Sequence, residues 1–273
     1  MSSTAHRRPG RWLPALFLSL TLLAATAACG DDKDDTAKTK TRDTSKDTTA
    51  SSPSSTAPEA DFATFCDTYL KLDVAAASVG EDPAAAKAFA IKIKPDLATL
   101  TTEAPDELAD AVKTLSAAVD KVAGGDPAAF ETDEFGMANT AAETWLHENC
   151  GYQAVDVKGV DYGFEGITST LEAGKTSFVF TNGSNSEAHV MVIVRKKPGV
   201  TESTDELLAL PEEEAMAKVD QVAAAFAPPG QTGGILADLT PGSYVMLCPI
   251  PVDGKDGNPP HFTRGMVAEF TVA

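Results

Sequence analysis

Residues 176–194, TSFVFTNGSNSEAHVMVIV, decide how the C-terminal part of this 273-residue chain folds. Thr176 to Thr181 and Val190 to Val194 are β-branched and aromatic runs of strand length, separated by the turn-rich Asn182-Gly183-Ser184-Asn185-Ser186. Both faces of the second run are apolar, so it belongs inside a sandwich. The same grammar continues downstream. Thr240-Pro241-Gly242-Ser243 has Pro and Gly where a type II turn needs them, ahead of a strand from Tyr244 to Cys248, and Gly265 to Val272 reads as a last strand. Between the strands Ser203 and Glu206 form a capping box, and Glu212-Glu213-Glu214 suit a helical first turn. Met216, Val219, Ala223 and Phe226 then make a helical stripe, which Pro228-Pro229-Gly230 ends.

Upstream, from Asp61 to Gly151, the pattern is helical. Phe62, Phe65, Tyr69, Leu72, Ala76 and Val79 recur at steps of three and four, as do Leu108, Val112, Leu115, Val119 and Val122. Asp82-Pro83 and Asp126-Pro127 each place a capping carboxylate before a Pro at the first helical position. Four helices follow, near 61–80, 83–103, 105–123 and 127–149, with Pro95 expected to kink or break the second. In an up-down-up-down bundle the start of the first helix and the end of the fourth share one end, which pairs Cys66 with Cys150. The other pairings, through Cys248, would join two domains. This part loosely resembles small helical domains of exported bacterial lipoproteins, a likeness that implies no activity.

The N-terminus reads as an address. Arg7, Arg8 and Arg11 precede an apolar run from Trp12 to Ala28 that is at the short limit for a membrane span. Its end, Leu22-Leu23-Ala24-Ala25-Thr26-Ala27-Ala28-Cys29, resembles a bacterial lipoprotein lipobox. That resemblance implies a signal peptide over 1–28, Sec export, and an acylated Cys29 holding the chain on the extracytoplasmic face of the cell membrane. Residues 29–60 are rich in Asp, Lys, Thr and Ser, with no aromatic or large aliphatic side chain, so nothing there buries a core. As a flexible tether this segment reaches roughly 30 Å.

Charge narrows the function. With 22 Lys and Arg against 40 Asp and Glu the chain carries −18, and cleavage after Ala28 would remove three Arg and no acid, leaving −21. No cation excess is available to displace counterions from nucleic acid, whereas attraction of metal cations is favoured. There is no nucleophile elbow, phosphate loop or zinc-ligand spacing, and an enzyme is not expected.

The four potential metal ligands of the second domain are His189, Cys248, His261 and Met266. A His opening one strand, followed by Cys, His and Met around the last two, is the order that a trigonal His2Cys site with a weak axial Met requires, and this donor set favours copper. Over roughly residues 155–273 the sequence resembles the cupredoxin family of blue copper proteins. The likeness lies in Phe178-Val-Phe-Thr-Asn182 leading to Glu187-Ala188-His189-Val190-Met191, in Leu239-Thr-Pro-Gly242-Ser-Tyr-Val-Met-Leu-Cys248, and in His261-Phe-Thr-Arg-Gly265-Met266-Val267. It implies a Greek-key sandwich, equatorial ligands His189, Cys248 and His261, an axial Met266, and a redox or copper-transfer protein as partner.

One departure is the twelve residues between Cys248 and His261, where blue copper proteins usually have two to four. Two doublings of loop length cost only about 1.2 kcal/mol, so closure is affordable, but the spacing does not dictate that His261 reaches a metal. Taken singly, each ligand also suits an ordinary buried position, with Cys248 in phase with Tyr244 and Met246. The expectation is therefore a two-domain exported lipoprotein: an all-α four-helix bundle over 61–151, then an all-β cupredoxin-like sandwich with a helical insertion over 152–273. Its sandwich binds copper for electron transfer or copper handling. The alternative is a metal-free interaction module on the same scaffold.

Overall fold

A computed structural model describes residues 62–79 and 82–273; the leader, Cys29 and the 29–60 tether lie outside the described residues. The N-terminal region is helical, with α1 (Ala63–Ala76), α2 (Pro83–Glu103), α3 (Ala109–Gly124) and α4 (Asp133–Asn149), each packed on the next. Periodicity translates directly into burial: Leu108, Val112, Leu115, Val119 and Val122 all face the core. Phe65 of α1 meets the Trp145 ring of α4 edge-on at 5.8 Å, and Cys66 is disulfide-bonded to Cys150 just beyond α4. Among the described residues no helix is long and apolar enough to cross a membrane.

Two details of the helices differ from expectation. Pro95 does not break α2, which runs on to Glu103. Pro95 lies on the exposed face, where water can serve the carbonyl deprived of its helical N–H. Asp82 does cap α2, accepting from the Ala84 N–H, but Asp126 makes no such bond. Pro127 there begins a short 3-10 turn, and Thr132 caps α4 by accepting from the Phe135 N–H at 3.2 Å.

The rest of the chain is a mixed-sheet sandwich. In order it forms β1 (Gln153–Val160), β2 (Gly163–Glu165), β3 (Thr170–Leu171), β4 (Gly174–Asn182), β5 (His189–Lys196), α5 (Thr204–Ala209), α6 (Glu212–Met216), β6 (Val219–Ala227), β7 (Thr232–Leu239), β8 (Gly242–Leu247) and β9 (Val267–Val272). One sheet has the order β2-β1-β4-β7 and the other β3-β9-β8-β5-β6. The β1/β4 and β3/β9 pairs are parallel and the others antiparallel. Phe178 and Phe180 of β4 share one buried core with Met191 and Ile193 of β5 and with Tyr244 and Met246 of β8.

The predicted helical stripe Met216, Val219, Ala223, Phe226 is not a helix. Met216 closes α6, and Val219–Ala227 is strand β6, paired antiparallel with β5. Ala223, Ala225 and Ala227 are buried at period two while Phe226 is 40% exposed. The pairing of β6 with the apolar β5 outweighs the helix preference of alanine. The connections from β4 to β5 and from β7 to β8 both cross from one sheet to the other. The Tyr244 hydroxyl fastens the second crossing by donating to the Thr240 carbonyl at 2.7 Å and accepting from its N–H at 3.1 Å.

The helices and the sandwich meet along β7, the last strand of its sheet. Leu236 belongs to the helical core, while Asp73 of α1 and Glu143 of α4 accept from the outward N–H groups of Leu236 (2.9 Å) and Gly234 (3.1 Å). A strand edge that would otherwise carry unpaired donors is thus covered by two helices. Glycine is required at 234, because a Cβ there would lie 2.7 Å from Glu143 Cβ.

Candidate metal centre

The crossing after β4 positions the first histidine. Asn182 is fully buried, and its side-chain N–H donates to the carbonyls of Glu187 (2.8 Å) and Ala227 (2.9 Å). Its Oδ1 accepts from the Ser184 N–H at 2.9 Å, and Ser184 Oγ accepts from the Glu187 N–H at 3.0 Å. This short knot delivers Glu187 and His189 to the end of the sandwich, with His189 opening β5 opposite Ala227.

Cys248 arrives from the neighbouring strand. Val192 pairs with Leu247, so the residue after β8 lies one step nearer to His189, and the Val190 N–H donates to Cys248 Sγ at 3.4 Å.

The twelve-residue excursion closes at its neck. The His261 N–H donates to the Ile250 carbonyl at 2.8 Å and the Phe262 N–H to the Cys248 carbonyl at 2.9 Å. Pro251 and Pro260 are bridged, and the Val252 N–H donates to the Pro259 carbonyl at 3.1 Å. The segment beyond the neck is therefore a pinched-off loop. His261 emerges opposite Ile250, much as it would if the excursion were absent.

His189, Cys248 and His261 converge. The two Nδ1 atoms are 3.1 Å apart, Cys248 Sγ is 3.4 Å from His261 Nδ1, and the ligand atoms of the three residues all lie within 4.8 Å of one another. Met266 is placed beside them by its backbone, its N–H donating to the His261 carbonyl and its carbonyl accepting from the Cys248 N–H, each at 3.2 Å. All four side chains are at 0% exposure. Gly159 of β1 leaves them room: a Cβ there would lie 2.9 Å from the Phe180 ring and 3.3 Å from Met266 Cε.

Burial sets the protonation states. Desolvation, with His261 close by, pushes the His189 pKa down to about 4, and burial lowers that of His261 against the opposing pull of Glu187. Burial pushes the Cys248 thiol up to about 11. In the metal-free protein the centre thus holds two neutral imidazoles and a thiol. Nε2 of each histidine has no hydrogen-bond partner, an arrangement that is costly in a dry interior. Two imidazole nitrogens and one sulfur on a small triangle match the donors that soft and borderline metals take, so the residues present fit such an ion.

Sequence reasoning missed two neighbours. Glu187 Oε2 lies 3.6 Å from His261 Nε2. The signal for it was spacing, since a residue two positions before His189 in an extended segment projects to the same side. Tyr162, at positive φ in the β1–β2 turn, packs its ring edge-on against His261 at 5.3 Å. No pattern in the sequence marks that contact.

No known protein family and no curated protein matches the chain. Similar solved structures include dithionite-reduced auracyanin from Roseiflexus castenholzii, at 24% identity over 43% of this chain and 94% of that one, with TM-score 0.31. Auracyanin A, a blue copper protein of Chloroflexus aurantiacus, is 18% identical over 44% of this chain and 97% of its own, with TM-score 0.30. Rusticyanin from Thiobacillus ferrooxidans is 21% identical over 44% of this chain and 75% of its own, with TM-score 0.29.

Proposed function

We propose that this chain binds copper through His189, Cys248 and His261, with Met266 as a fourth, weaker donor, and serves as a one-electron carrier or a copper-handling protein of the cell envelope. The observation that carries the reading is the convergence of three donor groups, two inward-facing Nδ1 atoms and a sulfur, in a fully buried pocket. Copper, when bound, supplies a Cu(I)/Cu(II) couple. The chain's part is to hold two neutral imidazoles and a sulfur in place before any ion arrives, to exclude water, and to direct the Val190 N–H at Cys248 Sγ, where it stabilises thiolate charge. Pre-positioned donors keep rearrangement between oxidation states small, which favours electron transfer over transient copper carriage.

The reading takes residues 61–151 as a four-helix bundle domain, supported by the shared core of its helices, and 152–273 as a cupredoxin-like Greek-key domain, supported by the order of the ligands along the chain. It includes the lipobox: Cys29 carries the acyl anchor, so the protein works on the outer face of the cell membrane with a redox or copper-transfer protein as partner. Mass spectrometry of the membrane-extracted protein is expected to find lipid on Cys29, and Cys29→Ala to release the chain into the soluble fraction.

Titration of the purified protein with Cu(II) and Cu(I) tests the metal assignment. One equivalent of copper with an intense visible sulfur-to-copper band is expected for electron transfer. Tight Cu(I) binding without colour would favour copper handling, and no stoichiometric binding in either state would leave the metal-free module standing.

A further inference from the structure

We infer that Glu187 is the positioning residue of this centre, a single carboxylate that both fixes the ring of His261 and fastens the long Cys248–His261 excursion. Its backbone is held at two points, the N–H by Ser184 Oγ at 3.0 Å and the carbonyl by Asn182 Nδ2 at 2.8 Å. Its two side-chain oxygens then divide the work. Oε2 faces His261 Nε2 at 3.6 Å, and Oε1 accepts the Asp253 N–H at 3.1 Å, from beyond the neck of the excursion. The carboxylate is 13% exposed and His261 is fully buried, so water competes little for the histidine contact, while the Asp253 contact lies at the exposed end.

The geometry selects a tautomer. Only one nitrogen of a neutral imidazole carries hydrogen. His261 Nδ1 lies between His189 Nδ1 and Cys248 Sγ, both of which can donate, whereas Nε2 looks at an acceptor-only carboxylate. The hydrogen therefore sits on Nε2, and the Nδ1 lone pair points into the centre. Carboxylates set ligand histidines in this way at many metal sites. Here the same group is tied to the insertion. A chain with twelve residues where a short link would suffice needs a fastening that a short link does not. Glu187 supplies it from the strand end that also carries His189, so loop closure and ligand orientation are set together.

Glu187→Gln and Glu187→Ala separate the two roles. In Glu187→Gln the amide oxygen must face the Asp253 N–H, which leaves the amide N–H₂ against His261 Nε2. That nitrogen must then accept, and its hydrogen moves to Nδ1. In Glu187→Ala both contacts are lost. The first readout is long-range ¹H–¹⁵N NMR of the metal-free protein: His261 is expected as the Nε2–H form in wild type and the Nδ1–H form in Glu187→Gln. The second is tryptic cleavage after Lys255, whose side chain is 74% exposed within the excursion. Cleavage is expected to speed up about tenfold or more in Glu187→Ala, as the fastened loop is freed to open, and to stay near the wild-type rate in Glu187→Gln. A third readout rests on the copper reading: both variants should bind copper about 10–100-fold more weakly.

The metal-free measurements stand whether or not copper binds, so failure of the copper reading is distinguishable from failure of this one. Retention of the Nε2–H form in Glu187→Gln would overturn the tautomer role, and an unchanged tryptic rate in Glu187→Ala the fastening role. Should Glu187→Ala not fold, the tautomer in Glu187→Gln decides the orienting role, and amide hydrogen exchange at Asp253 of the wild type decides the fastening: protection is expected, and exchange at the rate of a free loop would overturn it.

Discussion

Two of the buried polar clusters among the described residues are finished to different degrees. At the edge of β7, Asp73 and Glu143 accept from the Leu236 and Gly234 N–H groups, and Glu143 also accepts from Asn139 Nδ2 at 2.6 Å. At the start of β5 the Nδ1 atoms of His189 and His261 crowd around a thiol that burial holds protonated, and the His189 Nε2 has no hydrogen-bond partner. The first cluster is complete within the chain: its acceptors meet donors of the strand edge, and its purpose is to join helices to sheet. The second gathers three donor atoms within 4.8 Å of one another, and His189 keeps a ring nitrogen that no group of the chain satisfies. Satisfaction of hydrogen-bonding capacity, more than burial or charge, separates a structural polar cluster from a binding one.

The contrast can be broken most sharply at Cys248. Cys248→Ala is expected to abolish the visible copper band and stoichiometric binding, read by optical titration, while urea unfolding of the metal-free protein changes little. Next in size, Glu143→Ala should cost about 1–3 kcal/mol, because it strands the Gly234 N–H in a dry junction; the urea midpoint reads it. His189→Leu provides the opposite test. Replacing a polar residue whose Nε2 is orphaned by an apolar one should keep metal-free stability within about 1 kcal/mol of wild type. A loss as large as that of Glu143→Ala would mean that the centre, too, is structural.

The smallest effect is one of pH. Burial raises the Asp73 carboxyl to about 7, and burial, followed by the neighbouring Asp73, raises the Glu143 carboxyl well above its ordinary range. A carboxyl whose folded pKa lies above its unfolded value near 4 binds more protons in the native state between those two values. Stability therefore falls as pH rises from about 4 to about 7 on account of Asp73, and the raised Glu143 acts in the same direction. The melting temperature is expected to be higher at pH 5.5 than at pH 8, and Asp73→Asn should flatten the difference. An unchanged slope in that variant would move the proton uptake elsewhere.

Legibility in the sequence followed how local each determinant was. The α3 stripe and the Asp82 cap are local, and they appear in the structure as read. The β5 run was legible because it is apolar on both faces, which an exposed strand cannot be. β6 was misread because Val-Asp-Gln-Val-Ala-Ala-Ala-Phe-Ala favours helix until β5 is beside it, a fact located elsewhere in the chain. The strands β1 and β7 have too few large apolar residues to announce themselves. At the centre, residue types and their order were visible. The neck that lets His261 reach its neighbours is made of backbone hydrogen bonds around Ile250, Pro251 and Pro259, which residue identity does not encode. Glu187 could have been noticed two positions before His189, though its two partners lie more than sixty residues further on.

The Cys66–Cys150 bond has a mechanical consequence. Tension applied between the two ends of the chain enters the described part at α1, reaches Cys66, crosses to Cys150 and continues into β1 only three residues later. The stretch between the two cysteines, which are 84 positions apart and enclose most of the helical region, is bypassed and carries almost no load. Pulling would therefore test the sandwich first, and the helices would begin to bear force only after the bridge had been reduced.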